Sequence, residues 1–325
     1  MTLIITIGID LYFTYYIAFV SWRGGRSLSA TFFQFVWIIK LIHIYLRCVL
    51  EDYFGMSFLS KLFQVTDGIR VEGKTVYYDA SNEDLVDTSV SNNPTYSDEY
   101  GDDVSVYSIF KRKSNTEEPY DGNPLLYALK GERGYHFAED YDREAVENQF
   151  RLIARKIKES SLFPSGVVSV VLPSGNSLNR HIVDVLQSEG VLCEVVEGAI
   201  VKMTAIEVYD EITADGSYFR QKSGADYDAN LRRFRNAMRR MDSDRGGMFA
   251  YHFLPPDIRG LVLSTMRSAS DELLEECSKA VNGRDVLLID DSISRGQSIK
   301  NAVSIMQECY YPKSITVLTL FSKLY

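Results

Sequence analysis

The stretch that most constrains this chain is Asp285-Val286-Leu287-Leu288-Ile289-Asp290-Asp291-Ser292-Ile293-Ser294-Arg295-Gly296-Gln297-Ser298-Ile299. Four consecutive apolar residues run into two aspartates. A loop of small residues follows, and the spacing beyond it predicts a helix from Ile299 to about Cys309. An apolar run of this length, closed by turn residues, is the pattern of a strand buried in a parallel sheet. Open α/β sheets bind ligands at the carboxyl ends of such strands, and Asp290 and Asp291 arrive there together. The backbone N–H groups of Ser294 through Ser298, with the positive end of the next helix, make an anion site. The amides and the hydroxyls of Ser294 and Ser298 suit a phosphate, while the paired acids suit a vicinal diol. A sugar phosphate satisfies both.

This run resembles the phosphoribosyl-pyrophosphate (PRPP) signature of type I phosphoribosyltransferases. Its Asp-Asp-Ser-Ile-x-Arg-Gly form is particularly similar to the glutamine amidophosphoribosyltransferases. The resemblance implies an α/β, Rossmann-like type I phosphoribosyltransferase fold, a parallel sheet flanked by helices. It implies that Asp290 and Asp291 hold the ribose hydroxyls and contact Mg2+. It also implies that Ser292, Ile293, Ser294, Arg295, Gly296, Gln297 and Ser298 grip the 5-phosphate. Gln297 and Ser298 stand where that branch usually has two threonines, so only one of the two hydroxyls is kept.

A second strand–loop–helix pattern lies upstream. Val167 to Leu172 reads as a buried strand, Pro173-Ser174-Gly175-Asn176-Ser177 as a loop, and Leu178 to Ser188 as a helix. By resemblance this loop receives pyrophosphate, through its amides and the side chains of Ser174, Asn176 and Ser177. A purely structural turn capped by Asn176 or Ser177 explains the same residues. Lys202, at the end of the stretch Ala199 to Met203, is the expected cation on pyrophosphate. Residues 204–250 are polar, contain glycine and carry the basic run Leu231 to Arg240; the resemblance makes them a closing loop, with Arg220 and Lys222 as candidate cations. Five arginines in 232–240 otherwise read as a solvated helix face or, less often, a nucleic-acid patch. Residues 258–280 read as helical or partly so, and Ser314 to Phe321 as a last strand.

The domain reading has three parts. Residues 1–55 form an apolar amino-terminal extension, 56–122 a small acidic extension with some β-structure, and 123–325 the phosphoribosyltransferase-like domain. Residues 3–20 and 31–50 are each about long enough to span a bilayer, and Arg23 and Arg26 lie between them. Asp10, Lys40 and His43 would be costly inside a membrane. A membrane hairpin, a helix pair packed on the protein, and sequence upstream of a true start at Met56 all stay open. Alternation over Gly68 to Tyr78 predicts a hairpin around Glu72-Gly73, and Val104 to Phe110 a short strand. Val146, Phe150, Ile153 and Ile157 mark an amphipathic helix from Arg143 to Ser160.

A net charge of -9 argues against nucleic acid as a partner. Cys48, Cys193, Cys277 and Cys309 are too scattered for a zinc site and suit a reducing compartment, so the expected location is cytoplasmic, or membrane-associated if residues 3–50 anchor the chain. No G-x-G-x-x-G, H-E-x-x-H or G-x-S-x-G motif occurs. The expected activity is transfer of 5-phosphoribosyl from PRPP to a small amine-type or nucleobase acceptor, with release of pyrophosphate. Ser294 stands where base-salvage members often carry an acid, which favours an amine or ammonia nucleophile. Neither Thr2 nor Ser57 supplies the amino-terminal cysteine of a glutaminase, so glutamine hydrolysis is not expected. A PRPP-binding regulator without catalysis is the alternative, and a homodimer is left open.

Overall fold

Val286, Leu287, Leu288 and Ile289 are all buried, and they alternate between two separate cores. Leu287 and Ile289 face one side of the sheet, while Val286 and Leu288 face the other. This strand is therefore covered on both faces, which is why its sequence is continuously apolar rather than alternating. The computed structural model describes residues 67–97, 104–114, 120–214, 217–244, 247–250, 253–262, 265–293 and 296–324. These fall in one unit, Val65–Tyr325. The expected apolar extension, Ser294 and Arg295 lie outside the described residues.

In chain order the elements begin with β1 (Gly68–Glu72), β2 (Thr75–Asp79), β3 (Val86–Asp87), β4 (Thr95–Ser97) and β5 (Val104–Arg112). Then come α1 (Asn123–Lys130), β6 (His136–Phe137), α2 (Asp140–Glu159), β7 (Val168–Val171), α3 (Leu178–Ser188), β8 (Glu194–Val196) and β9 (Ile200–Lys202). Helices α4 (Ala205–Ala214), α5 (Ser217–Ser223) and α6 (Tyr227–Asp244) follow. The chain closes with β10 (Met266–Ser268), α7 (Asp271–Val281), β11 (Asp285–Ser292), α8 (Gln297–Ile305) and β12 (Ser314–Phe321). A π-helical turn, Met306–Tyr310, extends α8.

The main sheet has the order β3-β5-β12-β11-β7-β8, with β4 also paired to β5. Strands β5, β12, β11, β7 and β8 are mutually parallel; β3 and β4 run antiparallel to β5. The fold is thus α/β with a mixed sheet flanked by helices. From β7 the chain moves outward to β8, and from β11 it moves outward the other way to β12. The order therefore reverses between β7 and β11, which places a topological switch point there.

Val146, Phe150, Ile153 and Ile157 of α2 are at most 2% exposed. With Ile182, Val183 and Leu186 of α3 they join the core that holds Leu287 and Ile289. Cys277 and Val281 of α7, with Ile299, Ala302 and Ile305 of α8, join the opposite core. The start of α2 is pinned by Asp142, which accepts from the Glu139 amide at 3.0 Å and the Tyr78 amide at 2.8 Å.

Several expectations need amendment. The strand expected in the acidic extension is longer and pairs with β12, so residues 104–112 share the sheet with the transferase-like region. Residues 204–250 are largely helical: α4 to α6 bury Val208, Phe219, Phe234, Met238 and Met241 in a third core. The arginines of α6 hide this in a polarity reading, because the apolar residues recur only at helical spacing. Residues 266–268 are not helical; they pair antiparallel with β9, Met266 opposite Lys202. Among the described residues no helix is long and apolar enough to cross a membrane.

Candidate functional site

Asp290 and Asp291 sit at the carboxyl end of β11, beside the switch point. The turn after β7 meets them there. Ser174 Oγ donates to Asp291 Oδ2 at 3.4 Å, and Asn179 Nδ2 donates to Asp290 Oδ1 at 3.4 Å and to the Leu172 carbonyl at 2.8 Å. Parallel pairing explains this meeting: Ile289 lies level with Val171, so both chains leave the sheet at the same height.

The two acids have different surroundings. Asp291 is 8% exposed and receives Ser292 Oγ–H on Oδ1 at 2.7 Å and the Lys130 ammonium on Oδ2 at 2.9 Å. Asp290 accepts the Asp291 amide at 2.8 Å. Solvent reaches the edge of Asp290, yet protein atoms ring its carboxyl. That loss of hydration, followed by the charge of Asp291, pushes its pKa from 3.8 up to about 7. The Asp291 amide, Asn179 and Lys130 oppose the rise without cancelling it.

Beyond the acids, Ile293 departs from its expected role. Its amide donates to the Phe321 carbonyl at 3.1 Å and its side chain is core, so that N–H is already spent within the fold. Ser292 directs its hydroxyl at Asp291. Gly296 is the N-cap of α8 with φ 70, a left-handed backbone that glycine adopts at little cost. Gln297 and Ser298 then open the helix, where first-turn amides have no intrahelical acceptor.

The Pro173–Ser177 turn borders a cleft of about 590 Å³ that also includes Asn179, Lys202, Met248 and Phe249. Pro173, Ser174, Gly175, Asn176 and Lys202 therefore share one concavity, although Lys202 comes from β9. Ser177 is the N-cap residue of α3, but the capping side chain is Asn176, whose Oδ1 accepts the Leu178 amide at 2.9 Å. The structural reading of that turn holds for Asn176.

No protein-family model matches the chain, and no curated protein matches it either.

Arg220 and Lys222 lie on α5, over the rings of Tyr227 and Tyr218, and do not border the cleft. Lys130, Asn179 and Arg112 belong to the site or its support and carry no local sequence signal. Arg112 is buried on β5. It donates to the Ser322 carbonyl at 2.6 Å, to Asn123 Oδ1 at 2.6 Å and to the Ile293 carbonyl. It thereby ties α1 and the signature turn to the sheet edge.

One motif in the chain is deceptive. Gly68-Ile69-Arg70-Val71-Glu72-Gly73-Lys74-Thr75 spells the G-x-x-x-x-G-K-T pattern of a P-loop. Here those residues form the β1–β2 hairpin, Glu72 opposite Thr75, with Gly73 at φ 62 in the turn. A second strand follows where a P-loop needs a helix, and Lys74 stacks 4.1 Å over the Tyr135 ring.

Proposed function

We propose that this chain is a PRPP-dependent phosphoribosyltransferase of the type I fold, passing 5-phosphoribosyl to an amine-type or nucleobase acceptor. The observation that carries this reading is the meeting of the turn after β7 with the carboxyl end of β11, Ser174 against Asp291, at the reversal of strand order. A diphosphorylated sugar needs an anion-binding turn on each side of a diol-binding pair, and the contact of Ser174 with Asp291 supports that reading. Asn179, whose buried Oδ1 has no hydrogen-bond partner, borders the cleft beside this turn.

In the proposed reaction the C1–O bond of the ribose breaks, its electron pair leaves with pyrophosphate, and the acceptor nitrogen bonds to C1 and releases a proton. Asp290 and Asp291 accept hydrogen bonds from the ribose 2- and 3-hydroxyls, and Asp291 places negative charge beside the developing cation. Such fixed electrostatics and positioning are the main catalytic contributions available. The amino-terminal end of α8 holds the 5-phosphate, while the Ser174–Asn176 turn and Lys202 hold pyrophosphate. Mg2+ takes one or two carboxylates and completes its shell with phosphate oxygens and water. Asp290 and Asp291 would hold it, and its charge would stabilise departing pyrophosphate.

The test is thermal unfolding with Mg-PRPP and with ribose 5-phosphate, for wild type and for Asp290→Asn with Asp291→Asn. A ligand at ~100 times its dissociation constant adds about 2.7 kcal/mol. Wild type should shift with Mg-PRPP and the double variant should not. An unmoved wild type sinks the reading. A second reading, a PRPP-binding regulator, draws support from Lys130, whose ammonium sits on an acid that catalysis would engage. Binding without pyrophosphate release across amines, ammonia and nucleobases would select it.

A further inference from the structure

The Lys130–Asp291 pair is nearly enclosed, with 13% of the lysine side chain and 11% of the aspartate side chain exposed. Its place follows from local structure. Lys130 ends α1, where the carboxyl end of a helix favours a cation. Gly131, at φ 65, stops the helix there and returns its amide to the Ala128 carbonyl. The other end of α1 is held by Asn123 to Arg112, which also binds the Ile293 carbonyl. Helix α1 is therefore tied from both of its ends to the strand side of the signature turn, and the ammonium is delivered to one carboxylate oxygen.

We propose that Lys130 is a positioning residue for the two acids. Its ammonium occupies Asp291 as a built-in cation, holds a bare divalent ion off the pair, and yields to an ion that arrives on a diphosphate. The physical basis is direct competition. A divalent ion and an ammonium on one carboxylate repel each other strongly at this separation and burial. A diphosphate brings its own negative charge, which removes that repulsion and gives the displaced ammonium new oxygen partners. The lysine stem has four rotatable carbons, so the ammonium can move without the helix moving. Ser292 and Ser174 stay on Asp291 during the exchange and keep its orientation.

The proposal rests on the reading of Asp290 and Asp291 as cation- and diol-binding acids. Its test uses Mn2+ alone, titrated calorimetrically into the full chain. Lys130→Gln and Lys130→Met should each bind Mn2+ roughly tenfold more tightly than wild type. Lys130→Arg should keep the weak wild-type affinity. Adding Asp291→Asn to Lys130→Gln should abolish the gain. A merely structural lysine would cost stability on removal and raise no metal affinity.

Uncharged variants that fold, by circular dichroism, and bind Mn2+ no more tightly than wild type overturn the proposal. If neither folds, Lys130→Arg decides: tighter Mn2+ binding by this variant overturns it, and unchanged binding supports it. Failure of Mg-PRPP to bind wild type would remove the transferase reading and leave the Mn2+ comparison standing. A flat Mn2+ comparison with PRPP binding intact would remove this role of Lys130 alone.

Discussion

Ser174 Oγ lies 3.4 Å from Asp291 Oδ2, although 117 residues separate them in the chain. That contact joins the turn after β7 to the carboxyl end of β11. It is the geometric reason to treat the two as one site rather than as two helix caps.

The raised pKa of Asp290 makes stability depend on pH in a definite direction. The folded chain keeps this proton up to about pH 7, whereas the unfolded chain loses it near pH 3.8. Between those values the native state binds more protons, so stability falls as pH rises through the window. Asp290→Asn removes that cost. Chemical denaturation should show the variant more stable than wild type by roughly 1–3 kcal/mol at pH 8, with the gain shrinking toward pH 4. A constant difference across that range would contradict the assignment.

Arg112→Ala should be costly, because the guanidinium is buried and its three acceptors would lose their donor. The expected loss is roughly 3 kcal/mol. Urea unfolding would measure it. Lys130→Arg at the other end of α1 serves as the control and should cost far less.

Phe234→Ala tests whether α4 to α6 form a separate unit of stability. Phe234 is fully buried in their own core, against Phe219 and Tyr209. The truncation should cost about 3–5 kcal/mol within that core. Hydrogen exchange should speed up across residues 205–241 while β11 and β12 stay protected. Equal acceleration in both regions would show one cooperative unit instead.

Gly296→Ala puts a side chain on a left-handed residue at the start of α8. The backbone cost is roughly 1–2 kcal/mol. Mg-PRPP affinity should fall along with stability, since the same turn is proposed to hold the 5-phosphate. A variant that loses stability but keeps full affinity would place the phosphate elsewhere.

Much of the sheet was readable from sequence. The double-sided burial of Val286 to Ile289 followed from an unbroken apolar run, and α3 follows the Leu178–Ser188 pattern. Within residues 204–250 the arginines 232–240 do lie on a solvated helix face, while the expected closing loop is largely helical, because folding responds to the few apolar residues on one stripe. At Gly68–Thr75 the alternation announced the hairpin that forms, although the same glycines spell a phosphate-loop pattern; the following segment, a strand, decides.

The primary structure alone placed two carboxylates at a strand end and small residues in the turn after it, because periodicity and turn chemistry are local. Tertiary structure alone brought Lys130 onto Asp291, Asn179 onto Asp290 and Lys202 to the Ser174 turn. It also committed the Ile293 amide to Phe321. Those outcomes depend on strand order and on where α1 and β9 pack. Such long-range contacts are fixed by burial across the whole sheet, and no local pattern in the chain encodes them.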